Sequence, residues 1–172
     1  MNAFESSARK AIPAVLIYAK RGNDVLMIHR NSGRSGDYHV GKWNGLGGKC
    51  EPDESPLETA RRELREESGL DLPADAFRPL GVLQFPNFKA HKNEDWIVFV
   101  FTATVSESGV RSLLKKSAEG ELHWVRAKDL LSLSLWAGDR HFIPYVADEK
   151  PFMGTIWYKG EEVIRQWVTS LG

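Results

Sequence analysis

Apolar residues in this chain come in short blocks divided by turn chemistry, and the period inside the blocks changes along the sequence. Ala11–Ala19 is a β-rich apolar run closed by Lys20-Arg21, and Gly22-Asn23-Asp24 leads into Val25-Leu26-Met27-Ile28. Two such runs around a Gly-Asn turn predict strands over 12–19 and 25–30, joined as a hairpin. A cleaved secretory leader beginning at Arg9-Lys10 is the competing reading. Pro13 inside the run, the basic pair that closes it and the lack of a small-x-small cleavage site argue against it. Asn31–Lys42 is rich in glycine, serine and charge and reads as a loop. Residues 43–54, with Gly45, Gly47 and Gly48, read as irregular. The period then lengthens. Leu57, Ala60 and Leu64 recur at i, i+3 and i+7, the buried stripe of a helix over 56–68. Its ends are marked: Ser55 is a good N-cap, Pro56 suits the first helical position, Glu58 completes a Ser-x-x-Glu capping box, and Gly69 is a natural stop.

Further along, 80–85 and 96–105 read as strands with a polar turn at His91–Asp95 between them. His123-Trp124-Val125 predicts a short strand, Lys128–Leu131 a helical turn, 139–147 a helix and 152–158 a strand. Val163, Ile164, Trp167 and Val168 predict a closing amphipathic helix. Residues 1–10 are polar and read as a loose terminus. Strands mixed with two or three helices predict an α/β chain, a sheet with helices on both faces. No linker divides the chain, so residues 1–172 are expected to form one domain.

Composition narrows the function classes. Lys+Arg and Asp+Glu are equal, 23 each, so the net charge is zero. Duplex binding depends on many Lys/Arg–phosphate contacts, and this balance argues against it. The single cysteine, Cys50, excludes an intramolecular disulfide framework and a cysteine-built zinc site, and points to the reducing cytoplasm. The longest apolar runs, Ala11–Ala19 and Trp96–Phe101, fall short of the roughly 20 residues of a membrane span. His29, His39, His91, His123 and His141 lack metal-ligand spacing. No obligate protein partner is evident.

The neutral chain hides one acidic segment. Glu51–Glu67 carries seven acids against Arg61, Arg62 and Arg65. Glu63, Glu66 and Glu67 stand at i, i+3 and i+4, so one helix face presents three carboxylates. Like charges at that spacing destabilise an isolated helix, and the helix dipole disfavours anions in its second half. A solvated face laced with ion pairs, Arg62 to Glu66 among them, is one answer. A hard divalent ion is the other: Mg²⁺ takes oxygen ligands and prefers sites shared with substrate phosphates. The glycine-rich stretch before the helix favours the second, because such backbone can approach phosphates and offer N–H groups.

Gly48, Glu54 and the run Arg62-Glu63-Leu64-Arg65-Glu66-Glu67-Ser68-Gly69-Leu70 fit the Nudix box, G-x5-E-x7-R-E-U-x-E-E-x-G-U, at every specified position. Chance agreement over a chain of this length is on the order of 10⁻⁸ to 10⁻⁷ at average residue frequencies. The chain therefore resembles the Nudix hydrolases, which cleave a nucleoside diphosphate linked to another group. The resemblance implies an α/β/α sandwich around a mixed sheet, with the box as a loop-helix-loop. It implies that Glu63, Glu66 and Glu67 hold Mg²⁺ (or Mn²⁺ in its place), joined by the Gly48 carbonyl. Glu63 or Glu66 would help deprotonate the attacking water, Arg62 would orient a glutamate, and Glu54 would fix the loop. Lys49 is placed to meet phosphate as a point charge or to remain a surface lysine.

Flanking residues bear on the substrate. Trp43-Asn44-Gly45-Leu46-Gly47-Gly48-Lys49 resembles the W-N-G-x-G-G-K run of MutT-type enzymes, which sanitise oxidised purine triphosphates. Trp136-Ala137-Gly138-Asp139 resembles their W-x-x-D segment, although some relatives carry an acid where Gly138 stands. By this resemblance Asn44 and Asp139 would read the base edge, Trp136 would stack on the purine, Tyr38 would line the pocket, and Glu119 would add a metal ligand. The plainer readings are core packing for Trp136, a surface position for Tyr38, an N-cap for Asp139 and a loop acid for Glu119. The expectation is a Mg²⁺-dependent pyrophosphohydrolase of a small-molecule purine nucleotide, 8-oxo-dGTP foremost. The alternatives are the same chemistry on dGTP, ADP-ribose, a nucleotide sugar or an RNA 5′ end, and a non-catalytic nucleotide-binding module.

Overall fold

The computed structural model describes residues 8–30 and 40–172. The elements in chain order are β1 (Lys10–Arg21), β2 (Asp24–His29), β3 (Trp43–Asn44), β4 (Leu46–Lys49), α1 (Pro56–Ser68), β5 (Phe77–Lys89), β6 (Glu94–Thr104), β7 (Lys116–Ser117), β8 (Gly120–Arg126), α2 (Ile143–Ala147), β9 (Phe152–Lys159) and β10 (Glu162–Ser170). The sheet runs β10-β9-β5-β6-β1-β2-β8-β7, with β3 paired to β2 and β4 to β1. It is mixed: β1 lies parallel to β6 and β5 to β9, and the other pairs are antiparallel.

The continuous apolar runs of β1 and β2 are explained by burial on both faces. Val15, Ile17, Ala19, Leu26 and Ile28 face one side and pack against Ala60 and Leu64 of α1. Ala14, Tyr18, Val25 and Met27 face the other side, under Leu130, Leu135, Phe142, Ile143 and Val146. Successive strand residues thus serve two cores, and the sheet is the middle layer of a helix–sheet–helix sandwich. The hairpin between β1 and β2 turns at Gly22, whose φ of 56° suits glycine. Within the described residues no helix is long and apolar enough to cross a membrane.

Four expectations change. The closing helix is a strand, β10. Its pairing with β9 shifts register between Val163 and Arg165. That bulge places Val163 and Val168, an odd spacing apart, against the same core. An odd spacing mimics a helical stripe, while Ile164 and Trp167 remain 60% and 52% exposed. Residues 43–54 are not irregular throughout, because β3 and β4 add short strands there. An added Cβ at Gly47 would strike the Val15 carbonyl oxygen, so only a side-chain-free residue lets β4 lie so close to β1. The helix over 139–147 splits into a 3₁₀ turn, Asp139–His141, and α2. Pro144 is tolerated only in a first turn, which fixes the α-helical start beside it. Finally, residues 8–10 of the expected loose terminus are tied down: the Lys10 amide donates to the Asn93 carbonyl at 2.9 Å, and Arg9 Nε to Asp95 at 2.7 Å.

Candidate active site

β4 delivers its chain end to a short loop and then to α1, whose start is fixed by its caps. The Glu58 amide donates to Ser55 Oγ at 3.3 Å, and the Ser55 amide donates to the Glu58 carboxylate at 2.8 Å. Gly69 closes the helix in the left-handed region, φ 77°. With start and phase set, Ala60 and Leu64 are locked into the core. Arg62, Glu63, Glu66 and Glu67 are carried round toward the glycines of β4.

Arg62 is the hub of this corner. Nε and Nη2 clamp Glu54 at 2.8 and 2.9 Å, Nη1 donates to Glu63 at 2.7 Å and to Glu66 at 3.3 Å, and Nη2 donates to the Lys49 carbonyl at 3.2 Å. Glu54 also accepts from the Glu51 amide and from Thr59 Oγ1. The guanidinium, more than any other group, lowers the Glu54 carboxyl to about 2. Glu54 is thereby a permanent anion pinning the loop to the helix, and Arg62 holds Glu63 in place.

Glu67 receives the Gly47 amide at 2.9 Å. The Glu63 carboxylate rests on Gly48, where an added Cβ would overlap it. Burial pushes the Glu67 carboxyl up to about 8; the nearby Glu119 and Glu63 push the same way, while the Gly47 amide and Arg30 oppose. Here is a partly desolvated carboxylate among like charges with too little positive charge to balance it. That deficit, and an all-oxygen donor set, fit a divalent cation. The described residues contain no finished cage of three or more ligating side chains. Glu63 is held by Arg62, Glu119 is ion-paired with Arg30, and the Glu66 side chain is 55% exposed.

From Gly47 and Gly48 a cleft of about 810 Å³ runs past Asn44 to Trp136, Asp139 and Tyr158. Asn44, Trp136 and Asp139, far apart in sequence, therefore share one cavity with Gly48 and Glu119. With its amide oriented to satisfy both ends, Asn44 donates to the Trp43 carbonyl at 3.1 Å and accepts from Arg30 Nε at 3.3 Å. Lys42 Nζ lies 5.4 Å from the centre of the Trp136 ring. Asp139 follows Trp136 in a tight turn, its amide donating to the Trp136 carbonyl at 3.1 Å. Its carboxyl keeps an opening to the cleft and is otherwise enclosed by protein. Burial raises it to about 7, against the pull of Lys42. The N-cap reading of Asp139 is set aside, because no side-chain cap bond forms at this turn or at α2.

Lys49 Nζ lies 5.2 Å over the ring of Trp96, which itself lines the cleft. Tyr38 lies outside the described residues. The structure adds groups the sequence did not single out: Arg30, Lys42, Trp96 and Tyr158. Lys42 precedes the Trp43-Asn44-Gly45 run, a local hint. The others come from strand ends that only the sheet brings together.

Comparison with known proteins agrees with this corner of the fold. The NUDIX domain pattern matches residues 8–146. The chain is 32% identical over 127 residues to the zebrafish (Danio rerio) oxidized purine nucleoside triphosphate hydrolase, covering 74% of this chain and 76% of that one. It is 28% identical over the same shares to the Mus musculus protein of that name. Among solved structures, a MutT protein from Bacillus halodurans superposes with a TM-score of 0.76 at 28% identity, covering 91% of this chain and 97% of that one. A mixed sheet between helical layers, a complete Nudix box at the expected loop-helix-loop and a domain match over most of the chain agree: this chain belongs to the Nudix hydrolase family.

Proposed function

We propose that this protein is a Mg²⁺-dependent pyrophosphohydrolase of purine (deoxy)nucleoside triphosphates, releasing the monophosphate and pyrophosphate, with 8-oxo-dGTP the leading substrate. One observation carries the reading. The cleft that begins at the glycines under Glu63 and Glu67 ends at an enclosed carboxyl, Asp139, beside Trp136. That carboxyl has no hydrogen-bond or ion-pair partner among the described residues. A phosphate chain at one end and a base at the other is the ligand that spans those two chemistries. The relatives named as oxidized purine nucleoside triphosphate hydrolases support the choice of base.

Glu63, Glu66 and Glu67, with the Gly48 carbonyl, would hold the ion. Bound there, Mg²⁺ supplies neutralisation of phosphate oxygens and acidification of the attacking water. Arg62 donates to both Glu63 and Glu66, so whichever carboxylate takes the proton is already oriented. The Gly47 amide fixes Glu67. Trp136, lining the cleft beside Asp139, would stack on the base, a contact worth about 1–3 kcal/mol per base. Asp139, with its pKa near neutrality, can accept from a ring N–H when ionised or donate when protonated.

The test is pyrophosphate release with Mg²⁺ across 8-oxo-dGTP, dGTP, GTP, dATP, ADP-ribose and a nucleotide sugar. A kcat/KM at least tenfold higher for 8-oxo-dGTP than for dGTP is expected. Equal or better turnover of dGTP or ADP-ribose would retain the chemistry and overturn the oxidised-base reading.

A further inference from the structure

The polar group at the far end of the cleft is not supplied by Asp139 alone. Gly138 contributes no side chain, and its open side is filled by a residue twenty positions away. An added Cβ at Gly138 would overlap Tyr158 Oη and come within 2.9 Å of Cζ. The Gly138 amide donates to that hydroxyl at 2.7 Å. One acceptor site of the phenol oxygen is therefore used, and its own proton has no acceptor among the described residues. The ring is held by Phe85 and Phe88, with centroids 6.3 and 6.0 Å away. A phenylalanine would serve those ring contacts equally well. Tyr158 lines the same cleft as Asp139 and Trp136.

We infer that Tyr158 is a specificity-determining residue whose hydroxyl donates to a carbonyl oxygen on the base edge beside Asp139, so that the cleft selects oxopurine over aminopurine nucleotides. The inference rests on the proposed purine nucleotide reading of the cleft and names the base chemistry within it. An amide-like edge, with a carbonyl oxygen next to a ring N–H, meets a phenol donor next to a carboxylate acceptor with every group paired. A 6-aminopurine turns an N–H toward a phenol oxygen that already accepts the Gly138 amide, and leaves the phenol proton without an acceptor. Sites built around a hydrogen bond reject the ligand that lacks it more strongly than apolar pockets reject a changed shape, because buried groups are left unpaired. Burial, chiefly, and the charge of Asp139 push the Tyr158 phenol up to about 12, so it keeps its proton.

dITP and dATP differ only along this edge, in the keto or amino group at position 6 and in the adjacent ring nitrogen, and the variants separate the Tyr158 contact from that of Asp139. The ratio of their kcat/KM values is measured for the wild type, Tyr158→Phe and Gly138→Ala. Gly138→Ala keeps the phenol but displaces its oxygen. The expected result is a wild-type preference for dITP that falls at least tenfold in both variants. A ratio that stays constant while both rates fall together would overturn the inference and leave the hydroxyl as a brace for the Gly138 turn. If the wild type hydrolyses neither nucleotide, calorimetric binding of the same pair decides. A dITP preference lost in Tyr158→Phe would keep the recognition role while the hydrolase reading fails. Equal binding of the pair by the wild type would overturn the inference.

Discussion

Gly48→Ala separates holding a carboxylate in place from holding the fold together. The backbone at Gly48 does not occupy the left-handed region, so alanine costs it no strain. The added Cβ would come within 2.6 Å of Glu63 Cδ, and ordinary contact begins near 3.4 Å. The carboxylate must therefore retreat by at least about 0.8 Å, the difference of those two distances, since its Oε1 lies closer still. It lies at the far end of a flexible side chain, so it can do so at little cost to stability. It cannot do so and keep both its 2.7 Å bond from Arg62 and its seat on Gly48. Misplacing a reacting group by about 1 Å costs on the order of 10²-fold in rate, about 2.7 kcal/mol. The neighbouring Gly47→Ala is the control. Its Cβ meets the Val15 carbonyl oxygen, backbone that cannot swing aside, so it should cost stability, about 1–3 kcal/mol by comparison with overpacked cores. The assay pairs Mg²⁺-dependent pyrophosphate release with thermal unfolding. Gly48→Ala should lose roughly a hundredfold in kcat/KM with Tm moved by less than about 2 °C, since 1 kcal/mol is worth about 2–4 °C in a chain of this size. Full activity in Gly48→Ala would refute the idea that this seat positions Glu63. An activity loss matched by a loss of folded protein would refute the separation itself.

Three other outcomes are expected. Arg62→Lys keeps one positive charge but cannot clamp Glu54 while reaching Glu63 and the Lys49 carbonyl, so kcat/KM should fall 10- to 100-fold; wild-type rates in this variant would remove Arg62 from its orienting role. Glu67→Gln can still accept the Gly47 amide through its carbonyl oxygen, so it should fold, yet lose at least about 10³-fold in rate and weaken Mg²⁺ binding by titration calorimetry. Burial raises the Asp139 carboxyl from 3.8 to about 7, so the folded form holds a proton that the unfolded form releases between about pH 4 and 7. Asp139 therefore withdraws stability as pH rises through that window and adds no slope above it. Thermal melts at pH 5 and pH 8 should differ less in Asp139→Asn than in wild type, and an unchanged pH slope would place the titration elsewhere.

How far the chain explains itself depends on how local each cause is. The α1 limits follow from Ser55, Pro56, Glu58 and Gly69, and its buried stripe from a period of 3.6, all within a few turns of one helix. The β1–β2 hairpin follows from two apolar runs around Gly22. The Nudix box is contiguous, so the residues that bring Glu63, Glu66 and Glu67 together with Arg62 were legible before any strand was paired. The β10 segment reads as a helix because its bulge breaks the two-residue alternation, and a bulge depends on the partner strand as much as on the sequence that carries it. The far end of the cleft is the other case. Nothing near Gly138 announces Tyr158, and nothing near Glu119 announces Arg30; these pairs meet because β9 lies parallel to β5 and β8 lies against β2. The sequence by itself determined the acidic corner of the cleft, where one helix face and one glycine loop suffice. Only the tertiary structure decided what lines the far end of that cleft, because hydrogen bonds between residues twenty or more positions apart are set by the register of the sheet.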